Sequence, residues 1–135
     1  MFDAALSDGR ALAEARMLDT FDIEVPTGGY VYDEATGEEA EEFDLLFTTL
    51  GRLKPGAGLR AARESEAGGR TVVTTIRELH IPVECEVVPA GAVATCIAIH
   101  PMSDPTLLGA RLRLAGPAPG SQTTARRLEV SEVIA

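Results

Sequence analysis

Leu107-Leu108-Gly109-Ala110-Arg111-Leu112-Arg113-Leu114 leads into the break Gly116-Pro117-Ala118-Pro119-Gly120 and then into Thr123-Thr124-Ala125-Arg126-Arg127-Leu128-Glu129-Val130. Apolar and charged positions alternate in both runs, and a Gly/Pro break between two such runs is the pattern of paired antiparallel strands. Leu112 and Leu114 are expected to face a core with Arg111 and Arg113 outward. Leu128 and Val130 play the same part against Arg127 and Glu129. The sheet is therefore expected to have one wet face.

Upstream of this pair the period of two recurs. Thr71-Val72-Val73-Thr74-Thr75-Ile76 is almost wholly β-branched, a composition that strands favour. His80 to Val87 alternates, with Ile81, Val83, Cys85 and Val87 expected on one face. Pro82 donates no ladder hydrogen bond, so this strand is expected at an edge or at a bulge. Val93 to Ile99 reads as a further strand closed by a rigid loop, His100-Pro101-Met102-Ser103-Asp104-Pro105.

Nearer the start, Phe2, Ala5, Leu6, Leu12, Ala13 and Met17 recur at helical spacing, predicting a helix to about Leu18 with Asp3 as a cap. Gly9 within it costs about 1 kcal/mol against Ala, so the helix needs a surface to dock on, either the domain's own sheet or a neighbouring subunit. Phe21, Ile23 and Val25 then mark a strand that Pro26-Thr27-Gly28-Gly29 breaks. Tyr30-Val31-Tyr32 leads to an acidic turn at Asp33-Glu34-Ala35-Thr36-Gly37-Glu38, continued by Glu39, Glu41 and Glu42. Phe43 to Leu50 is a strand that runs on to Pro55. Gly56, Gly58, Gly68 and Gly69 bracket a segment holding Arg60, Arg63, Glu64 and Glu66, which reads as a long mobile loop.

One helix followed by six or seven strands, with no βαβ alternation, predicts a mainly β chain. Its form is a small six- to seven-stranded antiparallel barrel or sandwich with an N-terminal α-helix and a long inter-strand loop. The expected layout is a single domain over 1–135. It comprises a helix over 1–18, first strands and acidic hairpin over 19–55, the loop over 56–70 and the remaining strands over 71–135.

Charge and chemistry narrow the function. The formal charge of −9 repels phosphate backbones, so nonspecific nucleic-acid binding is disfavoured; only Arg60/Arg63 and Arg126/Arg127 form basic pairs. Cys85 and Cys96 are expected as free thiols of a reducing cytoplasm. No Cys/His cluster has metal spacing, and the acidic turn lacks the ligand pattern of a calcium loop. There is no nucleophile elbow, triad or phosphate loop, so no catalytic residue, cofactor or metal is expected and the chain does not read as an enzyme. No apolar run is long enough to span a membrane, and no basic-then-apolar leader is present, so a soluble intracellular product with no membrane association is expected.

The order of Asp104-Pro105, Leu108-Gly109, Arg111-Leu112-Arg113 and Thr124-Ala125-Arg126-Arg127-Leu128-Glu129-Val130 resembles a family of small proteins encoded among the head and tail genes of actinobacterial long-tailed phages and prophages. Gly9-Arg10-Ala11-Leu12-Ala13-Glu14, Met17-Leu18-Asp19-Thr20 and Asp33-Glu34-Ala35-Thr36-Gly37-Glu38 fall in the same order. The family is similar in gene size and layout to head-closure, or stopper, proteins. At the turn after Gly91 the family often has an acidic residue where this chain has Ala92.

The resemblance implies a virion structural protein at the head-tail junction, made in the host cytoplasm. It implies a dodecameric ring with portal or adaptor proteins on one side and tail proteins on the other, packaged DNA passing through without specific binding. Gly56, Gly58, Arg60, Arg63, Glu64, Glu66, Gly68 and Gly69 are then candidates for a loop that faces the channel. Arg111, Arg113, Arg126 and Arg127 are candidates for inter-subunit ion pairs with Glu38, Glu39, Glu41 and Glu42. A head-tail adaptor or tail-terminator ring draws on nearly the same features. An alternative of another class is a soluble barrel whose Val/Ile lining holds a small apolar ligand.

Overall fold

The alternation at Phe21 and Ile23 is realised in a computed structural model that describes residues 2–55, 62–67, 70–75, 77–117 and 123–134. An N-terminal helix, α1 (Phe2–Ala15), precedes β1 (Asp19–Asp33), β2 (Glu38–Pro55), β3 (Ala62–Ala67), β4 (Arg70–Thr75), β5 (Arg77–Ile81), β6 (Val93–Ala98), β7 (Arg111–Pro117) and β8 (Arg126–Ile134). Six strands pair edge to edge in the order β1-β2-β5-β8-β7-β6 and close into an antiparallel barrel, while β3 and β4 form a separate two-stranded hairpin. Closure leaves the barrel without a free edge strand, which removes the usual template for uncontrolled pairing. The expected mainly β architecture with one N-terminal helix is the one observed.

The core follows from the period of two. Phe21 and Ile23 of β1, Leu79 and Ile81 of β5, Ala94 and Cys96 of β6, Leu112 and Leu114 of β7 and Leu128 of β8 all point inward and are buried. Each large apolar side chain so placed contributes about 1.5–3 kcal/mol relative to an exposed position. These side chains fill the barrel's interior. At Gly51, opposite Asp19, a side chain has no room: a Cβ there would lie 3.0 Å from Phe21 Cδ2 and 3.2 Å from the His80 carbonyl oxygen.

Several boundaries differ from the sequence expectation. Pro26-Thr27-Gly28-Gly29 does not end β1. The register shifts between Pro26 and Tyr30 and pairing with β2 resumes, so the segment is a bulge that absorbs the missing Pro26 donor. Thr27 Oγ1 donates to the Glu42 side chain and accepts from Gly29 N–H across this bulge. The hairpin turns at 34–37, where Gly37 adopts φ 73° and its N–H donates to the Asp33 carbonyl at 2.8 Å.

The strand expected over His80 to Val87 stops at Ile81. Cys85 N–H turns back to the Pro82 carbonyl at 3.1 Å, and the carbonyls of Val83 and Cys85 both accept from Arg126 Nη2 at 3.0 Å. Those acceptors go to a side chain rather than to a neighbouring strand. Val88 and Ala92, not Val83 and Val87, supply the core contacts of this connection.

Within the expected mobile loop, Arg63, Glu64 and Glu66 belong to β3, where they pair with Thr74, Val73 and Thr71. That part of the loop is a strand, because an antiparallel partner satisfies its backbone groups. Gly56, Gly58, Arg60, Gly68 and Gly69 lie outside the described residues. At the C-terminus, β8 begins at Arg126 rather than Thr123 and continues to Ile134.

The helix ends at Ala15, short of Leu18, and its apolar stripe does not pack as one face. Leu12 is exposed and Leu6 and Ala13 are half-buried; only Met17, just beyond the helix, reaches the core. The docking surface is the chain's own 123–124 segment. Arg10 Nε donates to the Thr123 carbonyl, and a Cβ on Gly9 would meet Thr124 Cγ2 at 3.0 Å. Gly9 thus exchanges helix propensity for close approach.

Candidate functional site

Two features stand at opposite ends of the barrel. At the end where β1 starts and β8 finishes, a cleft of about 560 Å³ is lined by Arg16, Arg52 and Arg77, by the hydroxyls of Ser103 and Thr106, and by apolar side chains including Leu53, Leu107 and Val133. Arg77 keeps the inward parity of Leu79 and Ile81, so the end of β5 turns a cation toward the barrel mouth. Arg52 stands on the adjacent strand β2, and Arg16 follows the helix.

The two aspartates that line the cleft are committed to other donors. Asp19 Oδ1 accepts from His100 N–H at 2.9 Å and from Ser103 Oγ at 2.6 Å, which pins the 100–103 loop to the first residue of β1. Asp104 accepts from Thr106 N–H and from Thr106 Oγ1, capping the 3-10 turn Pro105–Leu107. Those two donors hold the Asp104 carboxyl below its ordinary value of 3.8. Among the described residues the ion pairs are His80–Glu78, Arg113–Glu41 and Arg113–Glu132. None of the three cleft arginines takes part in one.

At the other end, β1 and β2 run on beyond their barrel neighbours. β6 pairs with β1 only over 20–24, and β5 pairs with β2 only over 52–55. The distal part of the hairpin is therefore a two-stranded arm. Tyr30 faces Glu41 and Tyr32 faces Glu39 across it, so two tyrosines and two carboxylates share one face. Tyr30, Val31 and Tyr32 are 68%, 54% and 60% exposed.

The arginines singled out from sequence have partners inside the chain. Arg113 Nη2 reaches Glu41 at 3.4 Å, Nε reaches Glu132 at 3.1 Å, and Nη1 donates to the Gly91 carbonyl. The ion pair expected between this arginine and the acidic tip of another subunit is made within one chain, where it braces the arm against β7. Arg111 lies 5.5 Å over the Phe43 ring, and Arg126 is held by the two carbonyls of the Pro82 connection. Arg127 is exposed beside His80 in the register. Glu42 is held by Thr27, while Glu38 and Glu39 stand exposed on the arm.

Cys96 is buried and Cys85 half-buried, and both are free thiols. Burial, with the Asp19 carboxylate nearby, pushes the Cys96 thiol up from 9.0. Among the described residues no group of His, Cys, Asp or Glu side chains is placed to hold a metal ion. Among the same residues no helix is long and apolar enough to cross a membrane.

Fold and surface together define a small closed β-barrel with an acidic arm at one end and a basic cleft at the other. The chain belongs to DUF6093, a family of unknown function, whose model matches residues 9–131. No curated protein and no solved structure matches it.

Proposed function

We propose that the chain is a structural subunit of the head-tail connector of a long-tailed phage or prophage, acting like the head-closure ring that joins portal or adaptor to tail and retains packaged DNA. The observation that carries this reading is the anchoring of the segment between Pro55 and Arg77. These two residues are paired neighbours on barrel strands β2 and β5, and the intervening chain carries the β3-β4 hairpin. An excursion of that length, held at its base by a closed barrel, is the layout that the resemblance to stopper proteins calls for. The run of motifs quoted above from both halves of the chain supports the same lineage.

The rival reading as a ligand-binding barrel loses support from packing. Phe21, Ile23, Leu79, Ile81, Leu112, Leu114 and Leu128 fill the interior, and a filled barrel has no room for an apolar guest.

Cryo-electron microscopy of the head-tail junction of the parent particle tests the proposal. A ring of density between portal-adaptor and tail that fits the six-stranded barrel, with the 56–76 segment turned to the channel, is the expected result. A fit one ring higher or lower reassigns the chain to an adaptor or a tail terminator. Absence of the chain from purified particles ends the connector reading.

A further inference from the structure

We propose that the acidic, tyrosine-bearing arm of one copy docks into the arginine-lined cleft of the next copy, so that the protein assembles head to tail through a single repeated contact. The inference rests on the ring reading for the identity of the occupant, a second copy of this chain, and its physical basis is charge segregation along the barrel axis.

From Asp19 to Gly51 the chain carries ten of its 21 acidic residues and none of its 12 basic ones. With Arg52 and Lys54 at the end of β2, the β1-β2 hairpin has a formal charge of −8 and the rest of the molecule −1. Six of these carboxylates, Asp33, Glu34, Glu38, Glu39, Glu41 and Glu42, stand on the arm at one end of the barrel, while at the other end Arg16, Arg52 and Arg77 line a cleft in which they form no ion pair among the described residues and the two aspartates serve other donors. The chemistries match as well. Tyr30 and Tyr32 share a face with Glu39 and Glu41. An arginine cleft with apolar walls offers guanidinium groups to the Glu39 carboxylate and to the ring faces, and leucine surface to the ring edges.

Arm and cleft lie at opposite ends, so head-to-tail stacking leaves each copy with one free arm and one free cleft for the next. The contact is heterologous, and it closes into a ring or propagates into a filament according to the rotation between neighbours. Arg113 contributes from within by fixing the base of the arm to β7 through Glu41, which limits the ordering cost when the arm docks.

A charge exchange followed by sedimentation tests the proposal. One variant carries Glu38→Lys and Glu39→Lys on the arm; a second carries Arg52→Glu and Arg77→Glu in the cleft. All these positions are on the surface or at the barrel mouth, and circular dichroism with thermal unfolding confirms that each variant keeps its fold. Wild type is expected to form assemblies at low salt that dissociate at about 1 M salt, where the screening length falls to about 3 Å. Each variant alone is expected to associate more than tenfold more weakly. An equimolar mixture of the two is expected to recover assembly, since a Lys arm then meets a Glu cleft and an acidic arm meets an Arg cleft.

Tyr30→Ser with Tyr32→Ser, which changes only exposed side chains, is expected to weaken assembly without altering its salt dependence. A wild type that stays monomeric at every concentration, or variants that assemble like wild type, or a mixture without recovery, each overturns the proposal. Its failure is separable from that of the connector reading: a ring found in the particle with variants that still assemble leaves the connector role standing on another interface. Arm-in-cleft assembly of a chain absent from particles does the reverse.

Discussion

Asp19 is the buried charged residue among those described, and its position explains how one carboxylate organises the cleft end. Its Oδ1 serves two donors, His100 N–H and Ser103 Oγ. Asp19→Ala leaves a half-buried backbone N–H without its partner and is expected to cost about 1–3 kcal/mol, whereas Asp19→Asn keeps an oxygen acceptor and costs less; thermal unfolding of both variants measures the difference. Cys96 offers a second test at this scale. Its folded thiol deprotonates above the 9.0 of the unfolded chain, so the folded state holds that proton more tightly. The resulting stability is complete below pH 9.0 and declines as pH rises above it, a decline that Cys96→Ala removes. A thiol reagent at neutral pH is expected to label Cys85 first and Cys96 only when the barrel unfolds. Neither behaviour is legible locally: Asp19 reads as an ordinary first residue of a strand, and its donors lie about 80 positions away in a loop.

At the scale of elements, the β1-β2 hairpin divides into two regimes. Between 20 and 24, β1 has neighbours on both sides; between 30 and 33 it has one, and its side chains are exposed. Amides of the arm at 30–33 and 38–41 are expected to exchange with solvent orders of magnitude faster than those of 21–23, as site-resolved hydrogen exchange would show. Equal protection along the whole hairpin in the monomer would mean that something in the chain covers the arm. The strands with clean alternation, at 21–25, 111–114 and 126–130, were legible from sequence because a period of two sorts side chains between core and water. The continuation of β1 past Pro26-Thr27-Gly28-Gly29 was not, since a bulge and a break share the same residues. Nor was the end of β5 at Ile81, because Val83, Cys85 and Val87 keep the alternation even though Arg126 claims the backbone acceptors.

For the whole molecule the governing quantity is the distribution of charge rather than its sum. A net charge of −9 suggests uniform repulsion between copies, yet nearly all of the excess sits on one hairpin. Electrostatic attraction between unlike ends is therefore compatible with a strongly acidic chain. Solubility is expected to pass through a minimum near the isoelectric point of about 4.6, where net repulsion vanishes. A turbidity profile across pH 3–7 checks this, and a minimum displaced by more than a unit would mean that buried pairing removes several carboxylates from the titration.

The sequence by itself determined that this is a β protein with one leading helix and one core face per strand, because burial of alternate side chains is a local consequence of the pleat. It also determined that the hairpin at 33–42 is acidic and that Arg111, Arg113 and Arg127 alternate with the core residues of their strands. Only the tertiary structure decided that Arg113 and Arg126 are engaged within the chain while Arg16, Arg52 and Arg77 are left to line a cleft. The physical reason is ring closure: residues far apart in sequence become neighbours only when β1 meets β6 and β5 meets β8, and no local pattern records which side chains that closure brings to the same end of the barrel.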